Sequence, residues 1–245
     1  MQQRLPSLLD PPITFAHRGA KAHAPDNTIE SFALALKLGA SGLESDVWVT
    51  SDGVAVLDHD GEIKSGFLRK QPIGSLRRDE LPEHIPALTE LFDACGTDYH
   101  LSLDLKHDRS GAVIIETIRE HAHDLLARTW LCHQDLDALA ALRPLDDEVK
   151  LVNSTRLGRM EEGPERRAAN LARLGIDGVN LRRSDWNGGL VALFHRFGRT
   201  AFSWDLQHEH LLRPALRMGI DGVYSDYVDR MVTAFHAEIG SSGAV

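Results

Sequence analysis

A (β/α)8 TIM barrel is the fold predicted for this 245-residue sequence, and three observations carry the prediction. Eight short apolar runs alternate with amphipathic stretches from one end of the chain to the other, the pattern of a parallel sheet covered by helices. No Gly-x-Gly-x-x-Gly follows the first run, so an open dinucleotide-binding sheet lacks its phosphate loop. A weak repeat, LGASGLESD at Leu38, LGIDGVNLR at Leu174 and MGIDGVYSD at Met218, puts one glycine where a helix ends and another before the next strand. That spacing suits short helix-to-strand loops, in which the helix C-terminus favours glycine.

The first strand is ITFAHR from Ile13. The first helix has Ile29, Phe32, Ala33 and Leu36 at helical spacing and opens on an Asn27…Glu30 pair resembling a capping box. The second strand is GLESDVWVT from Gly42, and Asp52-Gly53 then predicts a two-residue hairpin turn. That turn opens a small insertion, about residues 52–86, and its pairing sum sets His59 opposite Asp46. HLSLDLK from His100, TWLCH from Thr129, VKLVN from Val149, GVNLR from Gly178, TAFSWDL from Thr200 and GVYSD from Gly222 complete the strands. Further helices are expected from near Ala87, Gly111, Asp135, Pro164, Gly188, Glu209 and Val228. The length suits one domain, 1–245, with a sizeable core.

Composition narrows the function. A net charge of −9 argues against a general nucleic-acid or anionic-membrane surface. Cys95 and Cys132 are expected to be buried free thiols. The N-terminus lacks the apolar core of a secretory signal, and no run approaches the ~20 apolar residues of a membrane span. A soluble cytoplasmic protein acting on a small molecule is the expectation; the oligomeric state is not legible.

The chemistry concentrates between His17 and His59. Glu44 and Asp46 lie two apart on a strand and so share a face. Two inward acids are costly unless a cation lies between them, and a divalent ion with oxygen ligands answers that. His17 and Arg18 close the first strand, Asp104 and Lys106 share a face of the third, and Trp204 falls late in the seventh. In a barrel these strand ends converge on one mouth, where active sites lie. A base, a metal site and a cation at one mouth point to hydrolysis of a phosphate ester. His133, ending the fourth strand, is expected at the rim without function. His84, His121, His123, His195, His208, His210 and His236 are expected on solvated loops and helices, and His107 to point away from the mouth. His23 lies in the first strand-to-helix loop.

With these residues in place the sequence resembles the glycerophosphodiester phosphodiesterase family. The matching pieces are AHRGA at Ala16–Ala20, PDNTIESF at Pro25–Phe32, GLESDVWVTSDGVAVLDHD at Gly42–Asp60, IPALTELFDACG at Ile85–Gly96, LSLDLK at Leu101–Lys106, FSWDL at Phe202–Leu206 and GIDGVYSD at Gly219–Asp226. The resemblance implies a barrel enzyme that hydrolyses glycerophosphodiesters to glycerol 3-phosphate and an alcohol with a divalent metal. It implies that His17 and His59 are the acid–base pair, that Arg18, Lys106 and Trp204 hold the substrate, and that Glu44, Asp46 and Asp104 bind Mg²⁺ or Ca²⁺. The family usually carries Glu where this chain has Asp26, read as a change of little consequence, and Asp104, whose shorter reach bears on the metal. A sphingomyelinase D-like phospholipase on the same barrel is the alternative, but it is normally secreted and disulfide-bearing. An amidohydrolase would need a His-x-His on the first strand.

Overall fold

Apolar residues at period two form the strands where they were expected, in a computed structural model that describes residues 4–65, 69–107 and 110–240. The strands are β1 (Ile13–His17), β2 (Gly42–Val49), β3 (Ala55–Leu57), β4 (Glu62–Ser65), β5 (Arg69–Pro72), β6 (His100–Leu105), β7 (Thr129–His133), β8 (Lys150–Ser154), β9 (Gly178–Arg182), β10 (Thr200–Trp204) and β11 (Gly222–Ser225). Eight of these, β1, β2 and β6 to β11, pair in parallel, and β1 pairs with both β2 and β11, so the sheet closes on itself. Helices α1 (Ile29–Lys37), α2 (Leu88–Cys95), α3 (Ser110–His121), α4 (Leu136–Ala140), α5 (Pro164–Arg173), α6 (Gly188–Arg196), α7 (Glu209–Arg217) and α8 (Val228–Glu238) cover the outside. Among the described residues no helix is long and apolar enough to cross a membrane.

Alternation along each strand divides the core in two. One set, including Leu43, Leu101, Leu131, Val179 and Val223, packs against the helices. The other, Ile13, Phe15, Trp130, Cys132, Val152, Phe202 and Tyr224, fills the barrel. Phe15 stacks on Tyr224 at 4.7 Å between ring centroids, and Trp130 meets Phe202 edge-on at 4.8 Å. Aromatic packing of this kind makes the interior a solid floor rather than a channel. The repeat performs the packing duties expected of it. Gly219 takes φ +88° after α7, and a Cβ at Gly222 would come within 2.8 Å of the Phe202 ring.

Two local expectations are corrected. Val47 pairs with Leu57 and Val49 with Ala55, and the Thr50 N–H donates to the Val54 carbonyl at 3.0 Å. The turn therefore has three residues, Ser51 to Gly53, with Gly53 left-handed at φ 84°. The extra residue shifts the register by one, so Asp58 rather than His59 lies opposite Asp46. The N-cap of α1 is Thr28, whose hydroxyl accepts the Ser31 N–H at 3.2 Å, not Asn27. Asn27 is buried with φ 54° and accepts the Ser45 hydroxyl at 2.7 Å. Beyond β3 the insertion is anchored by an apolar cluster of Val56, Ile73, Leu76, Leu81 and Ile85.

Candidate active site

A cavity of about 360 Å³ opens at the C-terminal ends of the barrel strands, and His17, Arg18, Glu44, Asp46, His59, Asp104, Lys106 and Trp204 all line it. Parallel register stacks these residues in tiers. His17 is level with Glu44, and Asp46 with Asp104 on the next strand. His59, one residue off the predicted pairing, still reaches the cavity from beyond the end of β3.

Glu44 and Asp46 are 7% and 3% exposed. Glu44 Oε2 accepts the Arg18 backbone N–H at 3.0 Å. Burial pushes the Glu44 carboxyl up to about 7, with His17 opposing and the Asp46 and Asp104 charges adding to the rise. Lys106 Nζ bridges Asp46 Oδ1 and Asp104 Oδ2, each at 2.6 Å. Desolvation alone would lower the Lys106 pKa, but these two carboxylates hold it above the ordinary lysine value. The second Asp46 oxygen is different. Arg18 Nε stands 3.2 Å from it but off line, and both atoms are buried without a hydrogen-bond partner. A carboxylate oxygen left so is costly unless a ligand completes it.

The two histidines sit in contrasting settings. His17 Nδ1 and Asp226 Oδ1 are 2.5 Å apart, and Nε2 lies 3.9 Å from Glu44. Burial would lower the His17 pKa, but Glu44 and Asp226 outweigh it and hold the ring above the ordinary histidine value. With Nδ1–H donated to Asp226, the neutral ring turns a basic Nε2 toward the cavity. His59 is more open, its Nδ1 2.8 Å from Asp60 Oδ1. Arg18 and Asp205, both lining the cavity, and nearby Asn27 are the described non-glycine residues with positive φ, at 54°, 68° and 54°. Strained backbone of this sort gathers at functional sites.

The chain matches the model of the glycerophosphoryl diester phosphodiesterase family over residues 17–230. It belongs to that family. A glycerophosphodiester phosphodiesterase of Caldanaerobacter subterraneus subsp. tengcongensis is 24% identical over 90% of this chain and 96% of its own length. One from Bacillus altitudinis is 23% identical over 89% and 96%. The fold matches an Oleispira antarctica phosphodiesterase solved with sn-glycerol-3-phosphate, at TM-score 0.79 and 23% identity over 91% of this chain and 96% of that one. The chain is thus an enzyme of the glycerophosphodiester phosphodiesterase class.

Three features of this family member escaped the sequence. Asp226, which fixes His17, follows directly after the eighth strand, which pairs with the first; an acid just past that strand end was the available signal. Asp26, at the surface as expected, accepts from Arg18 Nη1 at 3.3 Å, a contact to a site residue that the sequence did not announce. His195, expected on a solvated face, is bonded to buried Asp221 at 2.7 Å. His133 lies as expected at the rim, lining a side cavity with Asp104 and Lys106.

Among the described residues no three His, Cys, Asp or Glu side chains stand arranged to hold a metal ion, since Lys106 occupies the place between Asp46 and Asp104. The donor chemistry nonetheless fits one. Glu44, Asp46 and Asp104 offer only oxygen, as Mg²⁺ and Ca²⁺ require, and Asp46 Oδ2, ion-paired with Arg18 at 3.2 Å but without a hydrogen bond, keeps a lone pair that a metal could take.

Proposed function

We propose that this protein hydrolyses glycerophosphodiesters to glycerol 3-phosphate and an alcohol, using His17 and His59 as an acid–base pair with a divalent metal. The observation that supports it best is the His17–Asp226 contact at 2.5 Å, which orients a basic Nε2 toward the cavity that Arg18 and Lys106 line. Arg18 and Lys106 bind the nonbridging phosphate oxygens through charge-assisted hydrogen bonds. His17 Nε2 takes the proton of the attacking hydroxyl, either that of water, which gives glycerol 3-phosphate directly, or the neighbouring glycerol hydroxyl, which gives a cyclic phosphate that a water then opens to glycerol 3-phosphate. Glu44, 3.9 Å away, stabilises the imidazolium that results. His59 gives its proton to the leaving alcohol oxygen. Trp204 walls the cavity and shields the diester from bulk water. Glu44, Asp46 and Asp104 would hold Mg²⁺ or Ca²⁺, which when bound neutralises charge building on the phosphate.

Glycerol 3-phosphate release from glycerophosphocholine, measured before and after chelation and then with Mg²⁺ or Ca²⁺ restored, tests the reading. Turnover lost on chelation and regained with metal is expected. Undiminished turnover in excess chelator would remove the metal from the mechanism, and no turnover with any glycerophosphodiester would remove the reading itself.

A further inference from the structure

We infer that the alcohol side of this cavity is built for an anionic group, so that the favoured diester carries a second phosphate on its alcohol. The inference rests on the proposed function and names a substrate class within it. In an eight-stranded barrel, β8, β9 and β10 lie across the mouth from β1, β2 and β6, which carry the acids and the phosphate-binding cations. On that far side Ser154 and Trp204 belong both to the catalytic cavity and to a second one of about 260 Å³, which Arg156 and Arg159 also line.

Four guanidiniums gather there. Those of Arg156 and Arg182 lie 5.7 and 5.8 Å from the centroid of the Trp204 ring. Arg183 Nε is 3.7 Å from Asp205, on the same rim. Two carboxylates oppose them: Asp185 holds Arg156 Nε at 3.1 Å and Asp205 holds Arg182 Nε at 2.9 Å. Arg159 is exposed and has no acid partner among the described residues. These four guanidiniums share two paired carboxylates, Asp185 and Asp205, in a chain whose net charge is −9.

This field sorts alcohol groups by charge. A quaternary ammonium seeks an open aromatic face, and Trp204 already carries two guanidiniums that repel it. A phosphate meets forked donors suited to its oxygens. Asn180 supplies an independent sign of a polar occupant. It is 7% exposed and lines the catalytic cavity, and its Oδ1 is buried without a partner. A hydroxyl of a polyol spanning the two phosphates would satisfy it.

The test compares paired substrates with the metal-loaded full chain. One pair is glycerophosphoglycerol and the same molecule phosphorylated on its terminal hydroxyl. The other is glycerophosphoinositol and glycerophosphoinositol 4-phosphate, with glycerophosphocholine as the cationic reference. The phosphorylated member of at least one pair should have kcat/KM higher by about tenfold, the worth of one charge-assisted contact, and glycerophosphocholine should be the poorest substrate. Arg159→Gln and Arg182→Gln should each bring that ratio toward one. Loss of folded enzyme lowers both members together and leaves the ratio unchanged, so misfolding cannot mimic the effect. Equal treatment of both pairs, preference for the choline ester, or an unchanged ratio in both variants would overturn the inference while leaving the diesterase reading intact. No turnover of any of the five substrates would overturn both.

Discussion

Asp221, at the closed end of the barrel, accepts from the backbone N–H groups of Leu8, Leu9 and Ala201 and is bonded to His195, all at 2.5–3.0 Å. Asp46, at the open end, has one oxygen on Lys106 and the other 3.2 Å from Arg18 Nε in an ion pair that is off line for a hydrogen bond. The two acids are almost equally buried, at 0% and 3% exposed, and each belongs to a cluster that includes a histidine. Asp221 is saturated by its own chain and ties the N-terminal segment to the floor. Asp46, with Glu44 beside it, is left with bonding capacity to spare. Burial of a carboxylate therefore does not by itself mark a site in this molecule; what separates the two ends is whether the protein completes the hydrogen bonding.

Substitution at the open end should remove function and spare the fold. For His17→Ala the expected loss of turnover is about 10²–10⁴-fold, with the melting temperature little changed. Steady-state kinetics beside a thermal melt will show this, and near-native turnover would strip His17 of its role. The closed end should behave in reverse. Asp221→Asn replaces an acceptor by an amide whose NH₂ faces N–H donors, at a cost of roughly 2–4 kcal/mol. The melting temperature should fall by about 5–15 °C while kcat per folded molecule holds.

These two ends also explain what was legible in the sequence. The chemistry at the mouth was readable because closely spaced residues on strands β1, β2 and β6 point to one side by period alone. The floor was not, because Asp221 and His195 lie far apart in the chain and meet only when α6 packs against β10, beside which the segment entering β11 runs. Asp226 escaped for the same reason, since the eighth strand joins the first only on barrel closure. The one-residue register error at Asp46 and Asp58 arose because Asp-Gly reads as a two-residue turn, whereas Thr50 and Gly53 build a three-residue one.

Smaller effects refine the contrast. Asp226→Asn should cost about tenfold or more in kcat with little change in KM, because it frees the His17 tautomer rather than a substrate contact. Loss of that carboxylate also removes one of the influences that raise the His17 pKa, so the basic group in the kcat/KM profile should titrate at lower pH. An unmoved profile would detach Asp226 from His17. Smaller again is Asp104→Glu. One added methylene should fit at the mouth without overpacking, and Mg²⁺ tolerates less variation in oxygen distance than Ca²⁺. The Mg²⁺-to-Ca²⁺ activity ratio should change while the melting temperature stays within about 2 °C. Indistinguishable ratios would mean that Asp104 does not touch the metal.

The central claim is that buried Glu44 is held against the stability of the metal-free protein, and Glu44→Gln tests it most directly. The folded-state pKa of Glu44 is raised from 4.5 to about 7, so the wild type loses stability as pH rises from the unfolded value through the folded one. That loss is on the order of 3 kcal/mol once the group is fully ionised. Glutamine keeps an oxygen for the Arg18 N–H and carries no charge. Denaturant unfolding of chelated wild type and Glu44→Gln between pH 4 and 8 should therefore give curves that nearly coincide at the acid end and separate with rising pH, the variant becoming the more stable. A variant that is less stable than wild type at pH 8, as Asp221→Asn is expected to be, would contradict the account.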